Sequence, residues 1–75
     1  MKNKIDIKFL SISDVKEFAD IVSSFDYDID LVSGRYVVDA KSIMGIFSLD
    51  LSKPISLVAH TDDVKQLAES IRKFC

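Results

Sequence analysis

The residue in this sequence with the clearest capacity for chemistry is Ser42, which immediately precedes the apolar-rich segment 43–51. A serine at this place fits the N-cap of a short helix, where its hydroxyl satisfies a backbone N–H group that has no partner inside the helix. A phosphate on the same hydroxyl would meet those N–H groups and the positive end of the helix dipole. The spacing is therefore compatible with a plain helix cap and with a phosphorylation site.

The apolar side chains that follow Ser42 are too many for the single buried stripe of a short helix. Ile46 and Leu49 share one helical face at i,i+3 spacing, and we expect them to lie in the core. A second face carries three further apolar residues, which are Ile43, Met44 and Phe47. Because a short helix on one sheet buries only one stripe, this second face predicts an exposed apolar surface that binds a partner beside a phosphorylatable serine.

A histidine and a group of carboxylates are the other candidates for chemistry. His60 is the only histidine, and without a second ligand at a suitable spacing it predicts no zinc site. Asp26, Asp28 and Asp30 alternate along a predicted strand, and such a face either collects a hard cation or is simply solvated. The lack of a wrapped calcium-type loop favours a solvated face. The sequence also has no nucleophile–base pair and no glycine-rich phosphate loop, so we expect no enzyme activity, no cofactor and no metal.

Composition and charge indicate a small globular protein. Of the 75 residues, 48% are hydrophobic and 29% are charged, and the net charge is −2. This balance argues against nucleic-acid or membrane binding, which requires a basic surface, and no apolar run is long enough to span a membrane. The N-terminal residues lack the apolar block of a signal peptide, and a single cysteine, Cys75, allows no internal disulfide. We therefore expect one domain over residues 1–75, located in the cytoplasm.

Hydrophobic periodicity predicts the elements that hold Ser42 in place. Alternating polar and apolar residues predict four strands, at residues 4–10, 25–31, 35–39 and 55–60. Helical spacing predicts three helices, which run from residues 11–14 to about residue 24, from Ser42 to about residue 51, and onward from residues 61–63. Gly34 predicts a tight hairpin between the second and third strands. The order β-α-β-β-α-β-α predicts an α+β fold, in which three helices cover one face of a four-stranded, mainly antiparallel sheet and the other face meets water.

Residues 41–45, which read KSIMG and are followed by Ser48 and Leu49, resemble the regulatory-serine segment of the HPr family, the small phosphocarrier proteins of the bacterial sugar phosphotransferase system. The resemblance implies an HPr-like open-faced β-sandwich, which agrees with the predicted element order. It also implies that an ATP-dependent HPr kinase-like enzyme phosphorylates Ser42, and that this phosphate controls partner choice in carbon catabolite regulation. The positions that match the partner-docking surface of the family are Ile43, Met44 and Phe47.

The sequence departs from this family at the phosphohistidine site. Family members that carry phosphoryl groups have the motif Gly-Leu-His-x-Arg-Pro-Ala where the first strand meets the first helix, whereas residues 9–15 here read FLSISDV. An ungapped register from Ser42 places Ser11 in the position of the histidine, and Ser11 and Ser13 are better interpreted as helix caps. In an HPr-like sheet, His60 would lie at the opposite edge from the N-terminus of the first helix.

These features together predict an HPr-like regulatory or interaction protein of the phosphotransferase or carbon catabolite-control system, switched by phosphorylation at Ser42. It resembles the regulators that lack the phosphohistidine and keep the regulatory serine. Its expected partners are an HPr kinase-like enzyme and other phosphotransferase or regulatory proteins. Two alternatives stay open, namely a phosphocarrier with an atypical acceptor such as His60 or a hydroxyl, and an interaction module that keeps only the fold.

Overall fold

The computed structural model describes residues 3–75, and its elements follow the predicted order β-α-β-β-α-β-α. The strands are β1 (Lys4–Ile7), β2 (Ile29–Ser33), β3 (Tyr36–Asp39) and β4 (Ile55–Ala59). The helices are α1 (Ile12–Val22), α2 (Ile43–Phe47) and α3 (Lys65–Ser70), with a 3₁₀ turn over Arg72–Phe74. None of the helices within this part of the chain is both long and apolar enough to cross a membrane.

The four strands form one sheet in the order β1-β4-β2-β3, and every neighbouring pair is antiparallel. The register sets side chains in rows across the sheet, and one such row consists of Ile5, Leu57, Leu31 and Val38. Because successive side chains of a strand point to opposite faces, this row faces the helices while its neighbours face away. The helix-facing side of the sheet is the floor of the core, and the predicted α+β fold is confirmed.

Three phenylalanines close the core beneath α1. The Phe18 side chain is fully buried, and its ring makes edge-to-face contacts with the rings of Phe9 and Phe74 at centroid distances of 5.1 and 5.6 Å. The rings of Phe9 and Phe74 contact each other at 5.9 Å. Such aromatic contacts add to the free energy of burying the rings themselves. They join the segment after β1, the middle of α1 and the end of the described chain into one packed unit.

The hairpin between β2 and β3 is tight, as predicted, and its turn has two residues. Ser33 pairs with Tyr36, so Gly34 and Arg35 form the loop. Gly34 has a φ of +60°, whereas no other residue in the described range has a positive φ. A positive φ at the first loop position alone matches a type II′ turn, which suits the twist of a hairpin and favours glycine. The glycine therefore sets the register that carries through β3 to Ser42.

The prediction that the second strand begins at residue 25 is wrong, because β2 begins at Ile29. The N–H group of Phe25 donates to the carbonyl oxygen of Val22 at 3.1 Å, so the backbone is still winding after the end of α1. Phe25 and Tyr27 are half-buried, and their ring centroids lie 5.7 Å apart. Part of the alternation of apolar and polar residues over 25–31 therefore comes from two aromatic rings that pack against the core, and not from a paired strand.

The first strand also ends earlier than predicted, at Ile7 instead of Leu10. Beyond it, the N–H group of Lys8 donates to the carbonyl oxygen of Phe74 at 2.7 Å. The chain therefore leaves the sheet at this point and joins the 3₁₀ turn. This contact lies 66 residues away along the chain (74 minus 8), so no local pattern could reveal it.

The last helix begins at Lys65, a little later than the start signal at residues 61–63 predicted. The Thr61 hydroxyl accepts from the N–H of Asp63 at 3.3 Å, and the Asp63 carboxylate accepts from the N–H of Lys65 at 3.0 Å. Short polar side chains commonly bond to the backbone two residues on and form turns in this way. These residues therefore lead the chain into α3 without forming its first turn.

We expect Phe18→Ala to lower the free energy of unfolding by about 3–5 kcal/mol, because it leaves a cavity where three rings now meet. The measurement is urea unfolding followed by far-UV circular dichroism. Leu10→Ala removes a side chain that is 82% exposed and should change the stability by less than about 0.5 kcal/mol. Equal losses in the two variants would contradict the assignment of Phe18 to the core.

Candidate functional site

Ser42 is the N-cap of α2, as one of its two interpretations predicted. Its backbone is extended, with φ −105° and ψ 110°, and its hydroxyl accepts from the N–H of Gly45 at 3.1 Å. Its carbonyl oxygen accepts from the N–H of Ile46 at 3.0 Å. The hydroxyl thus satisfies one of the N–H groups that the first helical turn leaves without an internal partner.

The segment before Ser42 is tied to the rest of the fold by Lys41. The Nζ of Lys41 donates to the carbonyl oxygen of Phe25 at 2.6 Å, and its backbone N–H donates to the Asp39 carboxylate at 2.9 Å. The N–H of Ser42 then donates to the carbonyl oxygen of Asp39 at 3.0 Å. These bonds fix the direction in which α2 leaves β3, and they commit the Lys41 ammonium to a backbone carbonyl.

The apolar side chains of the α2 segment divide as their spacing predicted. Ile46 and Leu49 are buried, at 0% and 7% exposure, and belong to the core. Met44 is 81% exposed, whereas Phe47 and Ile43 are 39% and 36% exposed. Helix α2 therefore turns one stripe to the sheet and offers the other to solvent. The role of that outer stripe in binding a partner stays a prediction.

Ser11 caps α1, which agrees with the interpretation of its position as a helix cap. Its Oγ accepts from the N–H of Asp14 at 3.3 Å and lies 3.0 Å from the Oγ of Ser13. The Asp14 carboxylate accepts from the N–H of Leu10 at 3.0 Å. One N–H group in the first turn of α1 is thus paired with the Ser11 hydroxyl, and Asp14 adds a negative charge there.

Leu10 and Ile12 are functional candidates that the sequence analysis missed. They are 82% and 69% exposed, and they flank Ser11. The available signal was the pair Phe9 and Leu10, because two adjacent apolar residues at a strand end cannot both point into one core. Phe9 is buried, so Leu10 is left outside.

A shallow cleft of about 320 Å³ joins the start of α1 to the segment after α2. It is lined by Phe9, Leu10, Ser11, Ile12, Leu51 and Ser52. Helices α1 and α2 also contact each other directly. The exposed apolar residues on the helical side are Leu10, Ile12, Ile43, Met44 and Phe47, which we call together the helical apolar surface. Ser42 lies at the far end of α2 from this cleft.

A carboxylate stands beside the cleft. Asp50 accepts from the Ser52 hydroxyl at 2.6 Å and from the Ser52 N–H at 3.1 Å. These two hydrogen bonds, with a smaller contribution from Lys53, hold the pKa of the Asp50 carboxyl below its ordinary value. Asp50 is therefore ionised at neutral pH, and the Nζ of Lys53 lies 3.9 Å from its carboxylate.

His60 lies at the opposite end of the sheet from this cleft, as the family resemblance implied. The Nε2 of its imidazole is 2.7 Å from the carboxylate of Asp30, and its backbone N–H donates to the carbonyl oxygen of Asp28 at 2.9 Å. Because β4 is antiparallel to β1, the residue after β4 lies near the start of β1, while α1 follows the other end of β1. The His60 imidazole is thus part of a separate, exposed hydrogen-bonded pair with Asp30.

The prediction that Asp26, Asp28 and Asp30 share one strand face is wrong, because only Asp30 lies in a strand. The other two are exposed in the turn between α1 and β2. Across residues 3–75, no three His, Cys, Asp or Glu side chains are grouped so that they could hold a metal ion.

Comparisons with a protein-family model and with solved structures agree with each other. The family model described as the PTS HPr component phosphorylation site matches residues 13–75, so the match begins just after Leu10 and Ile12. The structure of HPr-C-His from Thermoanaerobacter tengcongensis is 31% identical, with a TM-score of 0.75, over 93% of this chain and 84% of that one. No curated protein matches the sequence.

Two further solved structures have the same fold. Crh, the catabolite repression containing protein of Bacillus subtilis, is 25% identical with a TM-score of 0.66, over 92% of this chain and 86% of that one. The phosphocarrier protein HPr of Bacillus anthracis is 22% identical with a TM-score of 0.70, over 91% and 89%. The structural likeness thus extends over nearly the whole of each chain.

We expect Ser42→Ala to lower the free energy of unfolding by about 1 kcal/mol, because the N–H of Gly45 loses its acceptor. Ser42→Asn keeps a capping oxygen and should remain close to the unchanged protein. The measurement is urea unfolding of both variants under the same conditions. If Ser42→Asn were as destabilising as Ser42→Ala, the hydroxyl would not be acting as a cap.

Proposed function

The chain belongs to the HPr family, and we propose that it acts as a regulatory or interaction protein of the phosphotransferase or carbon catabolite-control system, switched by phosphorylation at Ser42. HPr-family proteins are phosphocarriers and not enzymes, and they act with other proteins of the phosphotransferase system. One observation carries this proposal, namely that the serine hydroxyl capping α2 lies beside the exposed side chains of Ile43 and Met44. We further propose that residues 1–75 form a single HPr-like domain that works in the cytoplasm.

The chemistry of the cap explains how a phosphate would act as a switch. The Ser42 hydroxyl accepts a backbone N–H, and phosphate oxygens accept such N–H groups equally well at the start of a helix. Helix α2 would therefore keep its cap while it gains a charge of about −2 next to apolar side chains. A partner that buries those side chains against an apolar area would be disfavoured, and one that presents arginines would be favoured.

The start of α1 supports a role other than histidine phosphotransfer. Accepting a phosphoryl group from a phosphohistidine donor uses an imidazole nitrogen as nucleophile, held by cationic or N–H donors. Ser11 supplies a hydroxyl instead, and the nearby Asp14 carboxylate occupies the N–H of Leu10. His60 has an imidazole, but it is paired with Asp30 at the other end of the sheet.

The helical apolar surface is the proposed docking area. Its residues Ile43, Met44 and Phe47 match the positions of the family's partner-docking surface, and Leu10 and Ile12 extend that area across the start of α1. The HPr kinase-like enzyme and the phosphotransferase or regulatory proteins are the proposed partners. The neighbour Crh is described as a catabolite repression protein, which favours a regulatory role for this chain as well.

We expect ATP with an HPr kinase to add one acid-stable phosphate, and phosphoenolpyruvate with the general phosphotransferase enzyme to add none. Intact-mass spectrometry of both incubations, before and after mild acid, is the measurement. Ser42→Ala should abolish the phosphate. Ser48→Ala is the matched control, because Ser48 is an exposed serine at the other end of the same helix, and it should leave the phosphate in place.

The same experiment separates the alternatives. An acid-labile phosphate in the phosphoenolpyruvate incubation, lost in His60→Gln, would identify a phosphocarrier with an atypical acceptor and would overturn the proposal. The absence of phosphate in both incubations would leave an interaction module that keeps the fold alone.

We expect Met44→Ser to reduce the kcat/KM of the kinase for this chain by about tenfold to a hundredfold, because burying a methionine at an interface is worth about 1.5–3 kcal/mol. Met44 is 81% exposed, so the variant should stay folded, as circular dichroism would verify. Val37→Ser is the control, since Val37 is also exposed but lies on β3 outside the helical apolar surface. Equal kinetics for the two variants would show that Met44 does not contact the kinase.

A further inference from the structure

The strand β3 forms an outer edge of the sheet and carries exposed apolar side chains. It pairs with β2 on one side, and on its other side no strand of the described chain pairs with it. Its residues Tyr36 and Val37 are 66% and 62% exposed. The opposite edge strand, β1, has no large apolar side chain that is exposed. An open edge with apolar side chains is a template for pairing with another strand.

The hairpin turn fixes which backbone groups of β3 point outward. The two-residue loop closes at Ser33 and Tyr36, so Tyr36 bonds inward to β2. Bonded and non-bonded positions alternate along an antiparallel strand, and Val37 therefore directs its N–H and C=O groups away from β2. Two copies related by a two-fold axis at Val37 would exchange both of these bonds.

The side chains around Val37 are self-complementary in the same arrangement. With Val37 opposite Val37 of the second copy, Arg35 in the turn lies just beyond the end of the paired strands, next to Asp39 of the second copy, and the symmetry repeats this pair. Tyr36 faces Val38 of the second copy on the helix side of the sheet. Arg35 and Asp39 are both exposed, and the attraction between their opposite charges at each end of the paired strands stabilises the pairing.

We propose that two copies of this chain associate through β3 and form a continuous eight-stranded antiparallel sheet. The contact involves one short strand from each copy, so it is smaller than a standard interface and the association is weak. It exchanges no part of the chain, and it leaves the helical apolar surface free. It is therefore independent of the function proposed for Ser42.

The test is a charge swap. Arg35→Asp would set carboxylates opposite one another at both pairs, and Asp39→Arg would do the same with guanidinium groups. Each variant alone should raise the dissociation constant of the dimer about tenfold or more. An equimolar mixture of the two variants restores oppositely charged pairs and should form a heterodimer. The double variant should regain self-association.

Sedimentation velocity from about 10 μM to about 1 mM protein measures these equilibria. Lys16→Asp is the matched control, because it changes the net charge as Arg35→Asp does but lies exposed on α1, and it should leave the dimer unchanged. Hydrogen exchange should also slow at the Val37 amide as the concentration rises. Thermal unfolding of each variant verifies that it is folded, since the Asp39 carboxylate also accepts the N–H of Lys41.

Three outcomes would overturn the proposal. The first is a monomer over the whole concentration range. The second is a dimer that Arg35→Asp does not weaken, which would place the contact elsewhere, on the helical apolar surface or in an exchanged segment. The third is a mixture of the two folded charge variants that associates no better than either variant alone.

Discussion

The pairing of β4 with both β1 and β2 is the constraint on which the rest of the structure depends. Ile7 at the end of β1 lies opposite Ile55 at the start of β4. The chain that leaves β1 and the chain that enters β4 must therefore meet at one end of the sheet. The cleft between Leu10 and Leu51 lies at this end, and so do the start of α1 and the segment after α2. The same pairing sends His60 to the other end, and one register thus separates the only imidazole from the helical apolar surface.

Two serines cap the N-termini of helices in this fold, and the charges around the two serines differ. Next to Ser11, the Asp14 carboxylate accepts the N–H of Leu10, so a second anion there would meet negative charge. Ser42 has no carboxylate in the first turn of its helix and stands beside exposed apolar side chains. The hydrogen bond that each hydroxyl makes is the same, and what differs is the electrostatic cost of adding charge next to it.

Local pattern predicted those features that depend on short-range spacing. The burial of Ile46 and Leu49 follows from i,i+3 spacing on α2, and the hairpin follows from the freedom of Gly34 to adopt a positive φ. The same reasoning failed at residues 25–31, because two rings packed on the core imitate the period of a strand. It also placed the end of β1 too late, since β1 ends where Lys8 bonds to Phe74, and that contact is set by the tertiary fold.

The brevity of α2 has a consequence for how its surface meets other molecules. A helix of five residues is too short to be stable alone. It is stabilised here because Ile46 is buried, Lys41 fixes the segment that precedes the helix, and Ser42 caps its first turn. Its free energy of local opening is therefore expected to be well below that of the strands beneath it. Any molecule that binds Met44 or Phe47 would also stabilise the folded state of this short helix. Partner binding and the local order of α2 would thus be thermodynamically linked.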